Sequence, residues 1–294
     1  MELRDLEVFL ALVNHLNFTH AAQEIHLSQP SVSVRIRRLQ EELGVKLFEQ
    51  VGKKIVLTEA GQLFETQARR IVTAQSDALQ VMEAYRGLEH GSLRIAASTT
   101  PGMYLVPRVV AEFKSQHPKI AISLSIKNTR QVEEAIIKDE FDLGFVGGHL
   151  ISNEVEALPW RTDELVLAIS PRHPMARRRQ IKPGDLENET LISREPGSAT
   201  QAAIGKHLPA PDFPVGIALE LGNPESVKQA VMSGFGIAFL SRCAIETELK
   251  AKSLVVRRVQ GIHIERELKI IHRKGKHLSS AATALIETAQ QLQR

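Results

Sequence analysis

Apolar residues recur at helical spacing in an early segment of the chain. The positions are Val32, Ile36, Leu39 and Leu43, at i, i+4, i+7 and i+11. This spacing predicts a helix with one buried face. Ser28 is a suitable N-cap for it, and Pro30 is tolerated in the first turn, where its missing N–H costs little. A shorter helix with Ala21, Ala22 and Ile25 on one side precedes it, so the segment predicts two helices joined by a tight turn.

The face opposite the apolar stripe is suited to nucleic acid. At about 100° per residue, small polar groups and guanidinium groups point away from the stripe. A helix of this kind fits the major groove of DNA, which makes the helix pair a helix-turn-helix with the second helix as reader. We expect contacts to bases or phosphates from Gln29, Pro30, Ser31, Ser33, Val34, Arg37 and Arg38. An ordinary helical hairpin with a solvated arginine face is the alternative.

The following residues predict a β-hairpin beside the reading helix. Gly44 ends that helix, and two β-prone pieces, Lys46–Phe48 and Lys54–Leu57, then flank a Gly-Lys-Lys turn. Such a hairpin would act as a wing. The ammonium groups of Lys53 and Lys54 would reach the flanking DNA phosphates and add affinity without sequence information. The wing favours DNA binding over the ordinary helical hairpin.

A long helix without proline follows the predicted wing. Thr58 is a suitable N-cap, and apolar residues then repeat at heptad spacing. The repeats are Phe64, Ile71, Ala78 and Tyr85, and three positions later Ala74, Val81 and Leu88. Sustained over about three heptads, this pattern predicts a coiled-coil seam and therefore a dimer. A helix packed against its own domain is the alternative.

Beyond Ser92, short apolar runs alternate with helical patterns. About nine such runs read as buried strands, and strand–helix alternation predicts an α/β architecture with parallel sheets. This number of strands over about 200 residues suits two lobes better than one. In α/β lobes, ligands bind where helix N-termini meet the carboxyl ends of strands.

Hydroxyl-rich strand-to-helix turns occur on both predicted lobes. One follows the strand LRIAAS, and the other follows the strand TLIS and begins with Arg194. Hydroxyl and backbone N–H groups at helix starts suit a carboxylate or another anion. The candidate effector-binding residues are Ser98, Thr99, Thr100, Thr129, Gly147, Ser198 and Thr200, of which Thr129 and Gly147 are the weaker ones. Ordinary helix capping is the alternative for either turn alone.

Composition fits a folded globular protein. The chain has 294 residues, of which 43% are hydrophobic and 24% charged, and a net charge of +3. Residues 1–90 carry a net charge of −2, so the reading segment is not basic overall. The single cysteine, Cys243, excludes an internal disulfide and fits a reducing compartment. No apolar run reaches the ~18 residues of a membrane span, and the acidic N-terminal stretch lacks a cleavage site, so we expect a cytoplasmic protein.

The chain resembles the LysR-type transcriptional regulators. The match is carried by AAQEIHLSQPSVSVRIRRLQEELGVKLFE and LTEAGQLF, and the order of elements agrees over the whole chain. Gln50 departs from the family, which usually has arginine after LFE. The resemblance implies a winged helix-turn-helix, a long linker helix and a two-lobed, periplasmic-binding-protein-like α/β effector domain. The expected boundaries are 1–58, 59–90 and 91–294, with lobe I at about 91–161 and 266–294 and lobe II at about 162–265.

These observations predict a sequence-specific transcription factor. Its expected partners are double-stranded promoter DNA, a small anionic effector and a second copy of the chain, with a homotetramer added by the resemblance. The eleven histidines are scattered, and the glycines form no phosphate loop or dinucleotide fingerprint, so we expect no enzyme activity, cofactor or metal site. Two alternatives stay open: a solute-binding protein, which would need export, and a small-molecule enzyme fused to a DNA-binding domain.

Overall fold

The structure is a computed structural model that describes residues 1–52, 54–85, 91–208 and 217–293. The chain forms two compact units, and the first of them ends with a long helix. The elements of this N-terminal unit are α1 (Leu3–His15), α2 (Phe18–Glu24), α3 (Gln29–Leu43), β1 (Phe48–Val51), β2 (Lys54–Leu57) and α4 (Glu59–Tyr85). None of the described helices combines the length and hydrophobicity that crossing a bilayer requires.

One hydrophobic core joins the helices and the hairpin of the N-terminal unit. The predicted stripe on α3 contributes Val32, Ile36 and Leu39, each at most 3% exposed, while Leu43 packs at the edge. The ring of Phe9 lies at the centre of this core, against the ring of Phe48 at 5.4 Å between centroids. Because its stripe is buried, α3 presents the opposite face to solvent.

Specific caps fix where the reading helix begins and ends. The Oγ atom of Ser28 accepts a hydrogen bond from the Ser31 N–H at 3.3 Å, as the sequence predicted. Gly44 ends the helix in the left-handed region with a φ of 69°, which favours glycine. Thr58 then caps α4, since its Oγ1 atom accepts the Gly61 N–H at 3.0 Å.

The first wing strand begins later than the sequence predicted. It spans Phe48–Val51, not Lys46–Phe48, and it pairs antiparallel with β2. The physical reason is a side chain on α3: the Oε1 atom of Gln40 accepts the Leu47 N–H at 2.8 Å, so this backbone group does not join the hairpin. Gln40 thereby ties the wing to the reading helix.

The first turns of α4 pack within their own unit. The centroids of the Phe64 and Phe9 rings are 5.0 Å apart, and Ala68 is fully buried. The half-buried Phe64 ring therefore covers the winged-helix core of its own unit, and its place on the dimer seam stays a prediction. Ile71 is 40% exposed and Ala78 is exposed, so both are free to meet a second chain. Ala74, another predicted seam position, is also exposed, whereas the side chains of Val81, Tyr85 and Leu88 lie outside the described residues, and the dimer stays a prediction.

The C-terminal unit is an α/β domain. Its strands are β3 (Gly91–Ser98), β4 (Ile120–Lys127), β5 (Leu143–Gly147), β6 (Val155–Ile169), β7 (Leu191–Arg194), β8 (Ile217–Leu221), β9 (Ala238–Ser241), β10 (Val255–Arg257) and β11 (Ile264–Arg273). Its helices are α5 (Thr99–Tyr104), α6 (Val106–Gln116), α7 (Thr129–Ile137), α8 (Ala199–His207), α9 (Pro224–Met232), α10 (Glu246–Lys250) and α11 (Ser280–Gln291).

Two long strands connect the lobes of this unit. β6 and β11 pair antiparallel from Val155↔Arg273 to Leu165↔Ile264. Parallel pairing, predicted from the sequence, holds for β3 with β4 and β5, and for β7 with β8. The main sheet is nevertheless mixed, with order β10-β6-β11-β5-β3-β4 and β9 beside β6. The reason is that the chain leaves the first lobe along β6 and returns along β11 in the opposite direction.

Candidate DNA-binding surface and effector cleft

The predicted reading face of α3 is open to solvent. Gln29, Pro30, Ser33, Arg37 and Arg38 are exposed, and Val34 is 51% exposed. Ser31 is half-buried, and its hydroxyl lies 2.8 Å from the capping hydroxyl of Ser28. The face therefore offers one apolar side chain, an amide, hydroxyls and two guanidinium groups, which are the kinds of group that contact base edges and phosphates.

Arg35, the remaining arginine of α3, points away from the reading face and toward α1. Its Nη1 atom lies 2.6 Å from Oδ1 of Asp5, whose side chain is 2% exposed. Burial alone raises the pKa of Asp5, but the Glu2 backbone N–H and the Arg35 guanidinium outweigh it and lower that pKa. Arg35 thus fastens the reading helix to α1 and does not contribute to the outer face.

The structure describes one of the two wing lysines that are predicted to reach phosphates. Lys54 is exposed at the start of β2, whereas Lys53 lies outside the described residues. Gln50, which stands where the family usually has arginine, donates from Nε2 to the carbonyl of Gly52 at 3.0 Å. This bond stabilises the wing turn, where Gly52 has a φ of 63°.

A small cavity lies between the two lobes of the C-terminal unit. Its volume is at most about 190 Å³, and its walls are the starts of α5, α7 and α8. It is lined by Ser98, Thr99, Thr100, Asn128, Thr129, Arg194, Ser198, Ala199, Thr200 and Arg266. Six of the seven predicted effector residues therefore share one cavity. Gly147 does not line it, because a Cβ atom there would lie 3.5 Å from the Arg266 side chain that fills this space.

An arginine on the second crossing strand forms the floor of the cavity. Arg266 is 7% exposed, and its Nε atom donates to Oδ2 of Asp163 at 2.8 Å. Its Nη1 atom donates to the Thr200 hydroxyl at 2.8 Å, and the Ser241 hydroxyl donates to the same Asp163 at 2.6 Å. The charge pair is thus fully buried and held by neutral hydroxyls. Arg266 was not among the predicted site residues, although it occupies an inward position between Ile264 and Leu268 on the alternating strand.

A second buried guanidinium bridges the lobes at the cavity wall. Arg194 is 3% exposed and makes a bidentate contact with Glu195, through Nε at 2.8 Å and Nη2 at 3.0 Å. Nη2 also donates to the hydroxyl of Thr99 on the other lobe at 3.2 Å and to the carbonyl of Gly222 at 3.3 Å. Arg194 therefore links a predicted effector residue of lobe I to lobe II.

The cavity contains a buried hydroxyl without a partner. Thr129 is 7% exposed, and among the described residues its Oγ1 atom has no hydrogen-bond partner. An unsatisfied buried hydroxyl costs about 1–3 kcal/mol, so proteins usually pair it. In contrast, the Thr200 hydroxyl accepts a hydrogen bond from Arg266, and the Ser198 hydroxyl accepts one from the Thr200 N–H. Thr129 is therefore the side chain best placed to accept or donate a bond to a bound molecule.

A second interlobe contact lies beside the cavity. The Tyr104 hydroxyl on α5 lies 3.5 Å from Glu225 on α9, and the Lys228 ammonium lies 5.3 Å from the centre of the tyrosine ring. Lys228 is 4% exposed and contacts Glu225 and Glu248 at 2.7 Å each. Burial alone lowers the pKa of Lys228, but the two carboxylates outweigh it and hold that pKa above its ordinary value. The lysine stays charged and helps to hold the lobes together.

Comparison with known proteins gives matches over the whole chain. The family model "Bacterial regulatory helix-turn-helix protein, lysR family" matches residues 3–62, and "LysR substrate binding domain" matches residues 86–294. The RuBisCO operon transcriptional regulator of Allochromatium vinosum is 37% identical over 287 residues, which cover 98% of this chain and 95% of that protein.

Solved structures agree with these matches. A single-residue variant of full-length OxyR from Pseudomonas aeruginosa superposes with a TM-score of 0.79 at 21% identity, covering 99% of this chain and 95% of that one. The CcmR regulatory domain of Synechocystis PCC6803, in complex with 2-PG, has a TM-score of 0.65 at 29% identity and covers 69% of this chain and 97% of that one.

Proposed function

Because this chain belongs to the LysR family of bacterial transcriptional regulators, we propose that it binds promoter DNA and responds to a small anion held between its lobes. The DNA-binding part of the proposal rests on the exposed α3 face and the adjoining Lys54. We further propose a dimer through the exposed part of α4, and a tetramer on DNA. Two reading helices spaced along one face of DNA distinguish a palindrome-like site far better than one.

The orphan hydroxyl of Thr129 carries the effector part of the proposal. It lies in a cavity with the hydroxyls of Ser98 and Thr100 and beside the guanidinium groups of Arg194 and Arg266. Hydroxyls together with the backbone N–H groups at the starts of α7 and α8 favour an anion. The cavity is smaller than the ~300–1,000 Å³ of drug-sized ligand sites, which favours a small molecule. The related CcmR domain, whose structure contains 2-PG, supports a small ligand in a domain of this type.

Contacts from both lobes would make the anion a regulator. A ligand that contacts lobe I and lobe II together favours one arrangement of the lobes over others. Only such differential affinity shifts a conformational equilibrium and, through it, the DNA-binding units. No covalent chemistry is required.

Calorimetric titration tests the site directly. Inorganic phosphate, sulfate and short carboxylates are titrated into the full-length wild type and into Thr100→Val, which removes one hydroxyl from the cavity. We expect at least one anion to bind the wild type and to bind Thr100→Val about ten- to a hundredfold more weakly, as for a lost bond to a charged group. Thr247→Val, on the exposed face of α10, is the matched control and should bind like the wild type. Equal affinity in all three proteins would refute the site.

A further inference from the structure

A surface segment of lobe II carries a dense run of cations. Residues 171–182 contain Arg172, Arg177, Arg178, Arg179 and Lys182, all exposed, and no acidic residue. Residues 91–294 carry a net charge of +5, against −2 for residues 1–90. The five cations of residues 171–182 equal in number the net charge of +5 on residues 91–294. The run is therefore a local excess of positive charge on the C-terminal unit.

The segment is held in a fixed position. Met175 and Ile181 are at most 2% exposed and anchor it in the lobe II core. Backbone hydrogen bonds join Ile181 to the segment that directly follows β10. The Ile181 N–H donates to the carbonyl of Arg258 at 3.2 Å, and the Gln260 N–H donates to the carbonyl of Ile181 at 2.8 Å. The guanidinium of Arg257 also donates to the carbonyl of Ala176. These bonds bring the exposed Arg258 beside the run.

Most of these cations are not neutralised by the protein. Arg178 lies 2.6 Å from the Asp185 carboxylate. The Lys182 backbone N–H, and after it the Arg178 guanidinium, lower the pKa of that carboxyl. Among the described residues, no carboxylate lies within ion-pair distance of the other four arginines of this surface. We call these four the arginine patch: Arg172, Arg177, Arg179 and Arg258.

We propose that the arginine patch binds the phosphate backbone of duplex DNA beside the operator. The proposal rests on the DNA binding proposed above. Fixed like charges without counter-charges favour a polyanion, and duplex DNA carries one phosphate charge per ~1.7 Å of its axis. A chain already bound through its reading helix holds the flanking duplex at an effective concentration of the order of millimolar. Phosphate contacts of this kind carry no sequence information, which suits flanks of variable sequence.

The structure favours DNA over a protein partner. Protein interfaces centre on buried aromatic or aliphatic anchors, with charges at the rim. The arginine patch contains only guanidinium groups, and the aliphatic side chains of its segment, Met175, Ala176 and Ile181, are buried. Guanidinium groups also match phosphate geometry better than a point charge does.

Binding to duplexes of two lengths tests the proposal. Fluorescence anisotropy of the full-length protein is measured over a KCl series, with a short duplex limited to the footprinted operator and a long duplex with flanks. We expect a steeper salt dependence on the long duplex. Arg177→Gln/Arg179→Gln removes two phosphate contacts, so the log–log slope on the long duplex should fall by about 1.8 for each contacting protomer. This corresponds to roughly a tenfold smaller loss of affinity between ~50 and ~200 mM salt.

A control variant shows whether an effect comes from the arginine patch or only from a lower net charge. The short duplex reports operator binding separately. Arg108→Gln/Lys250→Gln removes two exposed cations elsewhere on the same unit and should behave as the wild type on both duplexes. Failure of the wild type to bind the short duplex would refute the proposed function itself. Normal short-duplex binding without a length effect, or a length effect that survives Arg177→Gln/Arg179→Gln, would overturn the arginine patch alone. If Arg177→Gln/Arg179→Gln binds both duplexes normally but fails to support transcription, the arginine patch would instead contact an acidic protein surface. That result would also overturn the proposed DNA contact.

Discussion

Replacing Thr129 by valine should have opposite effects on stability and on effector binding. The hydroxyl is buried without a partner among the described residues, and valine keeps the side-chain shape. Removing an unsatisfied buried hydroxyl relieves a cost of about 1–3 kcal/mol, so the free energy of unfolding of the unliganded protein should rise by about 1 kcal/mol. The same change removes a bond to the anion and should weaken its binding by about 1.5–3 kcal/mol, or roughly ten- to a hundredfold.

The single tryptophan provides the stability assay. Trp160 lies on β6 within the same unit, 4% exposed, with its Nε1 atom bonded to the carbonyl of Ala289 at 2.9 Å. Its fluorescence during urea unfolding reports the stability of that unit, and calorimetry of the same samples gives anion affinity. Thr288→Val is the matched control, because Thr288 is 4% exposed and its hydroxyl donates to the Ala284 carbonyl at 2.8 Å. This control should lose stability and keep its anion affinity.

Two results would refute the reasoning about Thr129. A loss of stability as large as that of Thr288→Val would mean that the Thr129 hydroxyl is satisfied in the unliganded protein. Unchanged anion affinity in Thr129→Val would mean that the hydroxyl does not face the ligand. Either result would move the effector away from the start of α7.

Three further perturbations address other parts of the molecule. Thr200→Val leaves a buried guanidinium without its hydroxyl acceptor, so unfolding by urea should show a loss of about 1.5–3 kcal/mol, opposite in sign to Thr129→Val; an unchanged midpoint would contradict the observed bond. Ile71→Asp places two like carboxylates in an apolar seam and should shift sedimentation from dimer to monomer; a stable dimer would remove α4 as the interface. The lowered pKa of Asp5 means that its stabilisation is present above about pH 4 and is lost as pH falls through that pKa, so Asp5→Asn should flatten the acid limb of stability; an acid limb as steep as that of the wild type would exclude Asp5 as its source.

The reading helix could be predicted from the sequence because apolar spacing and a capping residue within a few positions of each other determine it. The i, i+4, i+7 stripe and the Ser28 cap determine α3, and the structure contains both. What the sequence left open depended on tertiary contacts. Phe64 fits a heptad as well as it fits a core, and only the fold shows that its ring packs against Phe9. Likewise, spacing alone cannot show that Arg35 turns toward Asp5 while its neighbours stay exposed.

In the effector cleft, too, the sequence showed some residues, and only the fold showed the others. The turns after two strands could be found from their hydroxyls, and the fold brings Ser98, Thr129 and Thr200 to one cavity. The charges of that cavity come from strand positions far away in sequence. Arg266 and Asp163 meet only because the two crossing strands pair antiparallel, a register that neither segment encodes alone.

A footprinting titration of operator DNA by the full-length protein, with and without the anion that binds its cleft, tests the central claim most directly. It reports both the affinity for the operator and the extent of protected DNA. Because a ligand contacting both lobes must favour one arrangement of them, the account predicts that saturating anion changes the affinity, the protected extent or both. Thr100→Val should show no such change at the same anion concentration. Identical footprints with the cleft occupied and empty would contradict the account.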